Sequence, residues 1–307
     1  MPDLAVEARD LTKTFPGGIV AVNGLDLTVP RGVVYGLIGR NGAGKTTTLR
    51  MLLGLLRPNR GSARVLGADL LRATPADRAR VAYVSQAQQI YSWMTVDELA
   101  TYLAHFYPRW DQAGARRLAL RFELDVTRPL GLLSGGEQRK AAILLAFAAR
   151  TEVLILDEPA AGLDPIARRQ LVDEIVDLVG RGDGATVLFS THIITDLERV
   201  AEYVGIMDRG RLLSSSRLED LQGATRRVQV IFEGDGPPAG FVVPGAVRTR
   251  TDGPVVTALV RLASESQLDD LRRLPGVRVT VFPVGLEEMF IELLGAPEPG
   301  KPAEVLS

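Results

Sequence analysis

The sequence predicts an α/β protein with a small α+β domain at its C-terminal end. Apolar strands alternate with helical stretches over residues 1–222, which is typical of a largely parallel sheet flanked by helices. A glycine-rich loop joins the first buried strand to a helix, and shorter strands separated by turns follow residue 222. At 307 residues, 46% of them hydrophobic, the chain is long enough for two domains with separate cores.

The first predicted domain, residues 1–222, contains strands and helices that are predicted from runs of apolar residues and from the spacing between apolar residues. Strands are predicted over residues 33–38, 153–157 and 186–190, and helices over residues 45–55 and 165–179. A mainly helical insert, residues 88–150, separates the first two of these strands. Because Gly180 follows the helix over 165–179, we expect that helix to end there.

The second predicted domain, residues 223–297, is a small α+β unit, followed by a flexible tail over residues 298–307. Strands are predicted over residues 227–233, 254–261 and 277–282. A helix capped by Ser264 is expected to run through Leu274, and another helix is expected over residues 286–294.

Composition and charge exclude several kinds of site. The chain has 36 basic and 37 acidic residues, so it lacks the general positive charge that favours nucleic-acid binding, and we expect no nucleic-acid partner. It contains no cysteine and two histidines, which excludes thiolate and histidine-rich metal sites. The N-terminal residues lack the features of a secretory signal, and no apolar run approaches the ~20 residues that span a bilayer. We therefore expect the chain not to cross a membrane by itself.

A phosphate-binding loop is predicted between the first buried strand and its helix. The pattern G-x-x-x-x-G-K-[ST] is matched by Gly39, Arg40, Asn41, Gly42, Ala43, Gly44, Lys45 and Thr46. Glycines let successive backbone N–H groups face phosphate oxygens, and the helix N-terminus adds partial positive charge. Lys45 would reach the β- and γ-phosphates, and Thr46 would ligate Mg²⁺. The alternative is a chance glycine-rich turn, which would not require a strand before it and a helix after it.

Two carboxylates, Asp157 and Glu158, end the predicted strand over residues 153–157. Carboxyl ends of neighbouring strands in an open α/β sheet face one crevice, so these acids could face the nucleotide that Lys45 holds. One would hold Mg²⁺ and the other could polarise the attacking water. Taken alone, two acids after a strand more often form a solvated strand end, and the upstream phosphate loop favours the functional interpretation.

The segment Leu133–Gln138 (LSGGEQ) resembles the signature motif of ATP-binding-cassette (ABC) ATPases. Further short motifs follow the order of that family: Phe15 resembles its adenine-stacking aromatic, Gln86 its Q-loop glutamine, the segment Ala161–Asp164 its D-loop, and His192 its switch histidine. The resemblance covers residues 4–221 and implies the ABC ATPase fold, a mixed-sheet core with a helical subdomain, here residues 88–150.

The resemblance also implies a role for each matching residue. Residues 39–47, which include Thr47, would surround the phosphates, and Phe15 would stack on adenine. Three residues would bind Mg²⁺: Thr46, Gln86 and Asp157. Catalysis would use Glu158 as base, together with Lys45 and His192. The signature residues Ser134, Gly135, Gly136 and Glu137 would contact ATP held by the opposite subunit of a head-to-tail dimer.

The resemblance implies an ATP-hydrolysing subunit of a bacterial ABC transporter. Its partners would be integral membrane permease subunits and a second ATP-binding subunit, most simply an identical one, at the cytoplasmic face of the cell membrane. The segments Phe106–Asp111 and Gly285–Phe290 resemble subunits of ABC-2-type exporters, which favours export. One departure is Ala160, where the family usually carries a hydroxyl residue; it leaves both carboxylates intact.

Two other functions remain as alternatives. One is a soluble ABC ATPase of translation or DNA repair, although such relatives usually carry two cassettes, a zinc module or a long coiled coil. The other is a nucleotide-binding regulator without turnover, which the presence of Glu158 and His192 disfavours.

Six aromatic residues follow the Q-loop position: Tyr91, Trp93, Tyr102, Phe106, Tyr107 and Trp110. We expect these rings mainly to pack a small core within the helical insert. The alternative is that some form an exposed anchor for a membrane partner. His105, in the same stretch, is expected to be a helix-surface residue.

Overall fold

The computed structural model describes residues 3–86, 91–180, 182, 184–234, 236–262 and 265–294. Contacts within the chain divide it into two compact units, Met1–Ser215 and Ser216–Ser307, which are taken separately below. The domain boundary predicted from the sequence, after residue 222, lies seven residues beyond this division. In the described part of the chain, no helix is both long and apolar enough to cross a bilayer.

The first unit contains nine strands and seven α-helices in its described residues. The strands are β1 (Leu4–Phe15), β2 (Ile19–Pro30), β3 (Val34–Gly39), β4 (Arg60–Val65), β5 (Val81–Val84), β6 (Val153–Asp157), β7 (Thr186–Thr191), β8 (Tyr203–Asp208) and β9 (Arg211–Arg217). The helices are α1 (Lys45–Leu52), α2 (Pro75–Arg78), α3 (Val96–Ala104), α4 (Gln112–Arg121), α5 (Gly135–Ala148), α6 (Pro165–Gly180) and α7 (Ile194–Glu198).

A six-stranded sheet with the order β5-β6-β7-β3-β8-β9 forms the centre of this unit. The pairs β5–β6, β6–β7, β7–β3 and β3–β8 are parallel. Every residue of β3, β6 and β7 is buried, as expected for parallel strands covered on both faces, which explains why the sequence shows them as continuous apolar runs. Because these strands are parallel, their carboxyl ends meet at one edge of the sheet.

A second, antiparallel sheet with the order β2-β1-β4 packs on the other side of α1. Helix α1 contacts strands of both sheets, and its Leu49, Met51 and Leu52 are almost fully buried in the shared core. The predicted end of this helix at residue 55 is wrong, because α1 ends at Leu52. Gly54 adopts a left-handed conformation (φ 67°), and the Leu55 N–H donates to the Arg50 carbonyl, which ends the helix earlier.

The helical insert contains α3, α4, a 3₁₀ turn over Leu130–Leu132 and α5; residues 87–90 of it lie outside the described residues. Helices α3 and α5 begin with capping boxes, Thr95 with Glu98 and Ser134 with Glu137. His105 lies at the C-terminal end of α3 and is exposed, as expected.

The expectation that the insert's aromatic rings pack its own core is wrong for four of the six. Tyr91, Trp93, Tyr102 and Phe106 are 48%, 72%, 46% and 54% exposed. The core between the helices is filled by smaller aliphatic side chains such as Leu99, Leu118 and Ile143, and by Phe122. Tyr107 and Trp110 are partly buried.

The second unit contains helix α8 (Leu218–Ala224), strands β10 (Thr225–Phe232), β11 (Ala246–Asp252), β12 (Val255–Arg261) and β13 (Val277–Pro283), and helices α9 (Asp269–Arg272) and α10 (Leu286–Leu294). Its antiparallel sheet has the order β11-β12-β10-β13. The core lies on one face of this sheet and includes Val228, Val230, Val256, Val260 and Leu268.

The predicted helix from Ser264 through Leu274 is shorter in the structure. A 3₁₀ turn over Glu265–Leu268 precedes α9, which ends at Arg272, and Ser264 lies outside the described residues. The residue before a proline is disfavoured in helical conformation, so Pro275 keeps Leu274 out of the helix.

Candidate functional site

The predicted phosphate loop lies between β3 and α1, at the carboxyl edge of the six-stranded sheet. A side chain at Gly39 would place its Cβ 2.6 Å from the Met207 carbonyl oxygen, and one at Gly44 (φ 102°) would collide with the Ala21 carbonyl. Both glycines are therefore required by close packing of backbone against backbone. Lys45 is buried, and its Nζ donates to the Gly39 carbonyl at 2.6 Å, which directs the ammonium group back over the loop.

The remaining predicted loop residues differ in exposure. Arg40, Asn41 and Gly42 are exposed, Ala43 is buried, and Thr46 and Thr47 are half-buried. Gly42 (φ 82°) has open space where a Cβ would lie. The loop therefore presents its first half to solvent and holds its second half against the sheet.

Asp157, at the end of β6, is fully buried and accepts hydrogen bonds from three elements. Thr46 Oγ1 donates to its Oδ1 at 3.0 Å, and Ser190 Oγ donates to the same oxygen at 2.7 Å. Tyr83 Oη lies 3.4 Å from the other oxygen, Oδ2. Burial, and to a smaller extent the charge of Asp157, raises the pKa of Tyr83 to about 12, so this hydroxyl stays protonated as a donor at neutral pH.

Glu158 directly follows and is held in an uncommon backbone conformation (φ 50°). Its N–H donates to Ser190 Oγ at 3.0 Å, which fixes the peptide at the strand end. Its Oε1 lies 3.2 Å from Lys45 Nζ, and its Oε2 lies 2.8 Å from His192 Nδ1. Since a carboxylate only accepts, Nδ1 carries the hydrogen and the ring's Nε2 faces away from Glu158. Backbone strain of this kind is typical of functional positions.

Gln86 lies beside this edge, and Phe15 lies in the other sheet of the unit. Gln86 follows β5, the neighbour of β6; its side chain is exposed, and its carbonyl accepts from Arg139 Nη2 at 2.5 Å. Phe15 is the last residue of β1 and is 37% exposed, with Lys13 Nζ 5.5 Å from its ring centroid. An exposed ring of this kind can stack on a planar base.

The signature residues form a separate, outward-facing element at the start of α5. Ser134 Oγ accepts from the Glu137 N–H at 3.3 Å, and the Ser134 N–H donates to Glu137 at 2.7 Å. These hydrogen bonds hold the pKa of Glu137 below its usual value. Ser134 and Gly135 are exposed, and Gly136 and Glu137 are half-buried. The free N-terminal N–H groups of α5 and its dipole are suited to an anion.

The D-loop segment lies beside the signature helix. Asp164 accepts from the Ala167 N–H at 2.8 Å and lies 3.2 Å from Lys140 Nζ on α5. The Ala167 bond first, and then Lys140, hold the pKa of Asp164 below its usual range. A Cβ at Gly136 would lie 3.2 Å from the Gly162 carbonyl, so the two segments are in close contact.

Three residues of this region were missed by the sequence analysis: Ser190, Tyr83 and Arg139. Ser190 ends the predicted strand over 186–190, so the rule that parallel strand ends converge could have found it. Arg139 is buried, and its guanidinium donates to the carbonyls of Ser85 and Gln86. No sequence signal separates this arginine from the many others in the chain.

Comparison with known proteins identifies the family. The ABC transporter family model matches residues 22–161. Nod factor export ATP-binding protein I of Cupriavidus pinatubonensis is 33% identical over 298 residues, which cover 94% of this chain and 90% of that protein. The chain belongs to the ABC transporter ATP-binding proteins.

Other matches agree with this assignment. ABC transporter ATP-binding protein YtrB of Bacillus subtilis is 29% identical over 296 residues, 94% of this chain and 98% of that protein. A solved structure of an ATP-binding subunit of an ABC transporter superposes with a TM-score of 0.65 at 29% identity, covering 71% of this chain and 92% of that one. The predicted family and the ABC ATPase fold are confirmed.

As a member of this family, the chain is an ATP-binding and ATP-hydrolysing subunit of an ABC transporter. Such subunits dimerise and work with membrane permease components.

Proposed function

We propose that this ABC subunit hydrolyses Mg²⁺-ATP at the carboxyl edge of its six-stranded sheet, as a homodimer, and so drives export through separate membrane subunits. The observation that carries the proposal is the convergence of Lys45, Thr46, Asp157, Glu158 and His192, which bond to one another across the ends of β3, β6 and β7.

The oxygen groups of Thr46 and Asp157 suit Mg²⁺. The hydroxyl and carboxylate oxygens lie 3.0 Å apart, and Mg²⁺ prefers oxygen ligands. Within the described residues, no group of three or more His, Asp or Glu side chains could hold a metal, so phosphate and water oxygens would supply the other ligands. Gln86 would add its amide oxygen. When bound, Mg²⁺ neutralises charge on the β- and γ-phosphates.

Glu158 is the proposed general base. Its carboxylate would accept a proton from the attacking water as the water oxygen bonds to the γ-phosphorus, and the bond from that phosphorus to the bridging oxygen of ADP would break. Lys45 would stabilise negative charge on the phosphates, and His192 would orient Glu158 and contact the γ-phosphate. Phe15 would stack on the adenine ring.

The signature residues are proposed to complete the site of a second copy. Ser134 and Gly135 are exposed at a helix N-terminus, where they can meet the triphosphate held by the partner subunit. Two composite sites then form across one symmetric interface.

A complementation experiment tests this arrangement. Glu158→Gln removes the base, and Ser134→Asp keeps an N-cap acceptor but adds a negative charge opposite the triphosphate. Each variant alone should lose most ATP hydrolysis. Because random pairing makes half of the dimers mixed, and each mixed dimer holds one intact composite site, a 1:1 mixture should regain about a quarter of wild-type activity. Activity of the mixture no higher than that of either variant would refute the shared site; Ser134→Asn is the neutral control.

The membrane partner is proposed to bind an aromatic strip formed by Tyr91, Trp93, Tyr102 and Phe106. Measured between ring centroids, Tyr91 lies 5.2 Å from Trp93 and 6.3 Å from Tyr102, and Tyr102 lies 5.1 Å from Phe106; all three are edge contacts. Exposed, contiguous aromatic rings are typical binding anchors, and the strip begins five residues after Gln86.

The name of the relative in Cupriavidus favours export. Binding to a permease would place the subunit at the inner face of the cell membrane.

Pull-down of membrane proteins from detergent extracts tests the strip. Trp93→Ala should reduce recovery of the integral membrane subunit by at least about tenfold, the loss expected for a binding anchor. Leu120→Ala, which truncates an 81% exposed side chain on α4, is the matched control. Equal recovery with Trp93→Ala and Leu120→Ala would argue against this surface.

A further inference from the structure

The four-stranded sheet of the second unit has two edge strands, β11 and β13, that differ in how they are protected. Edge strands expose unpaired backbone N–H and C=O groups, and proteins usually protect them with charges, bulges or covering elements. Strand β11 has such protection. Its register with β12 is irregular between Ala246 and Arg248, it carries Arg250 and Asp252, and Arg248 is paired with Glu292 of α10.

Strand β13 has fewer of these devices, although its last residue, Pro283, is a proline, which limits pairing at that end of the strand. It pairs with β10 without a register shift over residues 277–283, it carries one charge, Arg278, and β10 is its only strand neighbour in the described part of the chain. Its residues Val279 and Val281 pack against the core and are partly buried, whereas Val256 and Val260 of the inner strand β12 are at most 1% exposed. The apolar surface of the sheet therefore continues to an edge that no second strand pairs with in the described residues.

We infer that β13 pairs with β13 of a second copy of this chain, antiparallel and with Thr280 opposite Thr280. In this register Val279 lies opposite Val281, and Arg278 lies opposite Phe282. Threonine–threonine, valine–valine and cation–aromatic pairs are all favourable across strands, and no like charges face each other. Over residues 278–282 the strand is thus complementary to itself, which is what a two-fold contact requires; Pro283, opposite Val277, has no N–H to donate.

A contact already present in the chain supports the Arg278–Phe282 pairing. The Arg227 guanidinium lies 4.9 Å from the centroid of the Phe282 ring, so this ring accepts a cation in its present environment. A single strand pair buries little area, and we expect it to be weak alone. It would act as a second contact between subunits, independent of the one through nucleotide.

Cysteine crosslinking of the full chain tests this pairing, because the natural sequence contains no cysteine. Directly opposed residues of antiparallel strands have Cα atoms about 4.5–5.5 Å apart, within the range that a disulfide bridges. Thr280→Cys should give a disulfide-linked dimer under mild oxidation, with or without nucleotide. Thr251→Cys, the same substitution on the β11 edge, should stay monomeric. Equal crosslinking of the two variants, or none, would overturn the inference.

A second measurement uses association without a crosslink. In the Ser134→Asp background, which disables the nucleotide-dependent contact, Thr280→Lys should weaken self-association in sedimentation by about tenfold because it places two positive charges opposite each other. Thr280→Val, which keeps a branched side chain, should associate like the parent. If lysine and valine variants associate equally, β13 is not the contact. The complementation experiment above does not involve β13, so the two proposals fail independently.

Discussion

The nucleotide-facing edge of the sheet and the signature loop are built in opposite ways. At the sheet edge, Lys45, Asp157 and Glu158 are buried, and each bonds to at least two partners on other elements. In the signature loop, Ser134 is exposed, and its side chain and amide bond to Glu137 of its own helix.

This difference separates the part of a site that one chain completes from the part that it offers to another. A buried cluster of charges is stable only when its members satisfy one another. An exposed helix N-terminus keeps its N–H groups available for an anion from outside. Arg139 links the two regions, because it lies on the signature helix and donates to the carbonyls of Ser85 and Gln86 beside the sheet edge.

The largest expected effect comes from the buried ion pair between Lys45 and Glu158. Lys45→Met should lower the free energy of unfolding by about 3 kcal/mol, because Glu158 loses its cation and keeps only His192. The double variant Lys45→Met with Glu158→Gln should recover most of this loss, since no buried charge is then unpaired. Chemical denaturation followed by fluorescence of Trp93 and Trp110 measures both. A double variant as unstable as the single one would show that the pair is not what stabilises this edge.

The next largest expected effect is that of substituting Arg139, which tests whether this residue links the two regions. Arg139→Ala should cost about 2 kcal/mol, because two carbonyl groups lose a charged donor. If the arginine holds the Gln86 loop in place, the Mg²⁺ concentration for half-maximal ATP hydrolysis should also rise, an effect that lost stability alone does not produce. Arg117→Ala, at an exposed position of α4, is the control. Arg139→Lys should restore part of the Mg²⁺ response.

The stability cost of removing one serine hydroxyl from each region compares the two regions directly. Ser190→Ala should cost about 1.5 kcal/mol, because its buried hydroxyl donates to Asp157 and accepts from the Glu158 N–H. Ser134→Ala should cost about 1 kcal/mol, the usual loss for an N-cap. Thermal unfolding of the two variants, measured in parallel, checks the order. A larger loss at Ser134 than at Ser190 would contradict the view that the sheet edge is the more strongly coupled region.

Strands buried on both faces were the most predictable elements. The predicted strand over residues 153–157 has the bounds that the structure shows, because parallel strands covered on both sides are continuous apolar runs. Strand β1 was not predicted: it alternates polar and apolar residues irregularly, and its register with β2 shifts at several points. Strand β11 carries two arginines and an aspartate and has no apolar run.

The candidate site was predictable where it depends on motif residues and on the convergence of strand ends. The strand order was not predictable from the sequence. In the structure, β7 lies between β6 and β3. Ser190 consequently donates to Asp157 and accepts from the Glu158 N–H, a pair of contacts that no local pattern encodes. The contacts of Arg139 likewise depend on how α5 packs beside β5, which is a tertiary property.

The smallest expected effect concerns Tyr83, whose hydrogen bond to Asp157 is long. Its hydroxyl lies 3.4 Å from Asp157 Oδ2, so Tyr83→Phe should cost less than about 1 kcal/mol at pH 7. The pKa of Tyr83 is raised to about 12, whereas an unfolded tyrosine ionises near 10. Below pH 10 both states keep the proton and stability is unaffected. Between about pH 10 and pH 12 the unfolded state loses its proton first, so the native protein loses stability as pH rises.

Tyr83→Phe should therefore show a shallower loss of stability over that alkaline range than the natural chain. Denaturant midpoints measured at pH 7, 10 and 11 give the slope for each protein. Tyr102→Phe, which removes the same hydroxyl at a 46% exposed position on α3, is the matched control. If Tyr83→Phe and Tyr102→Phe lose stability at the same rate, Tyr83 is less buried beside Asp157 than the geometry requires, and the sheet edge is more open to water on the β5 side.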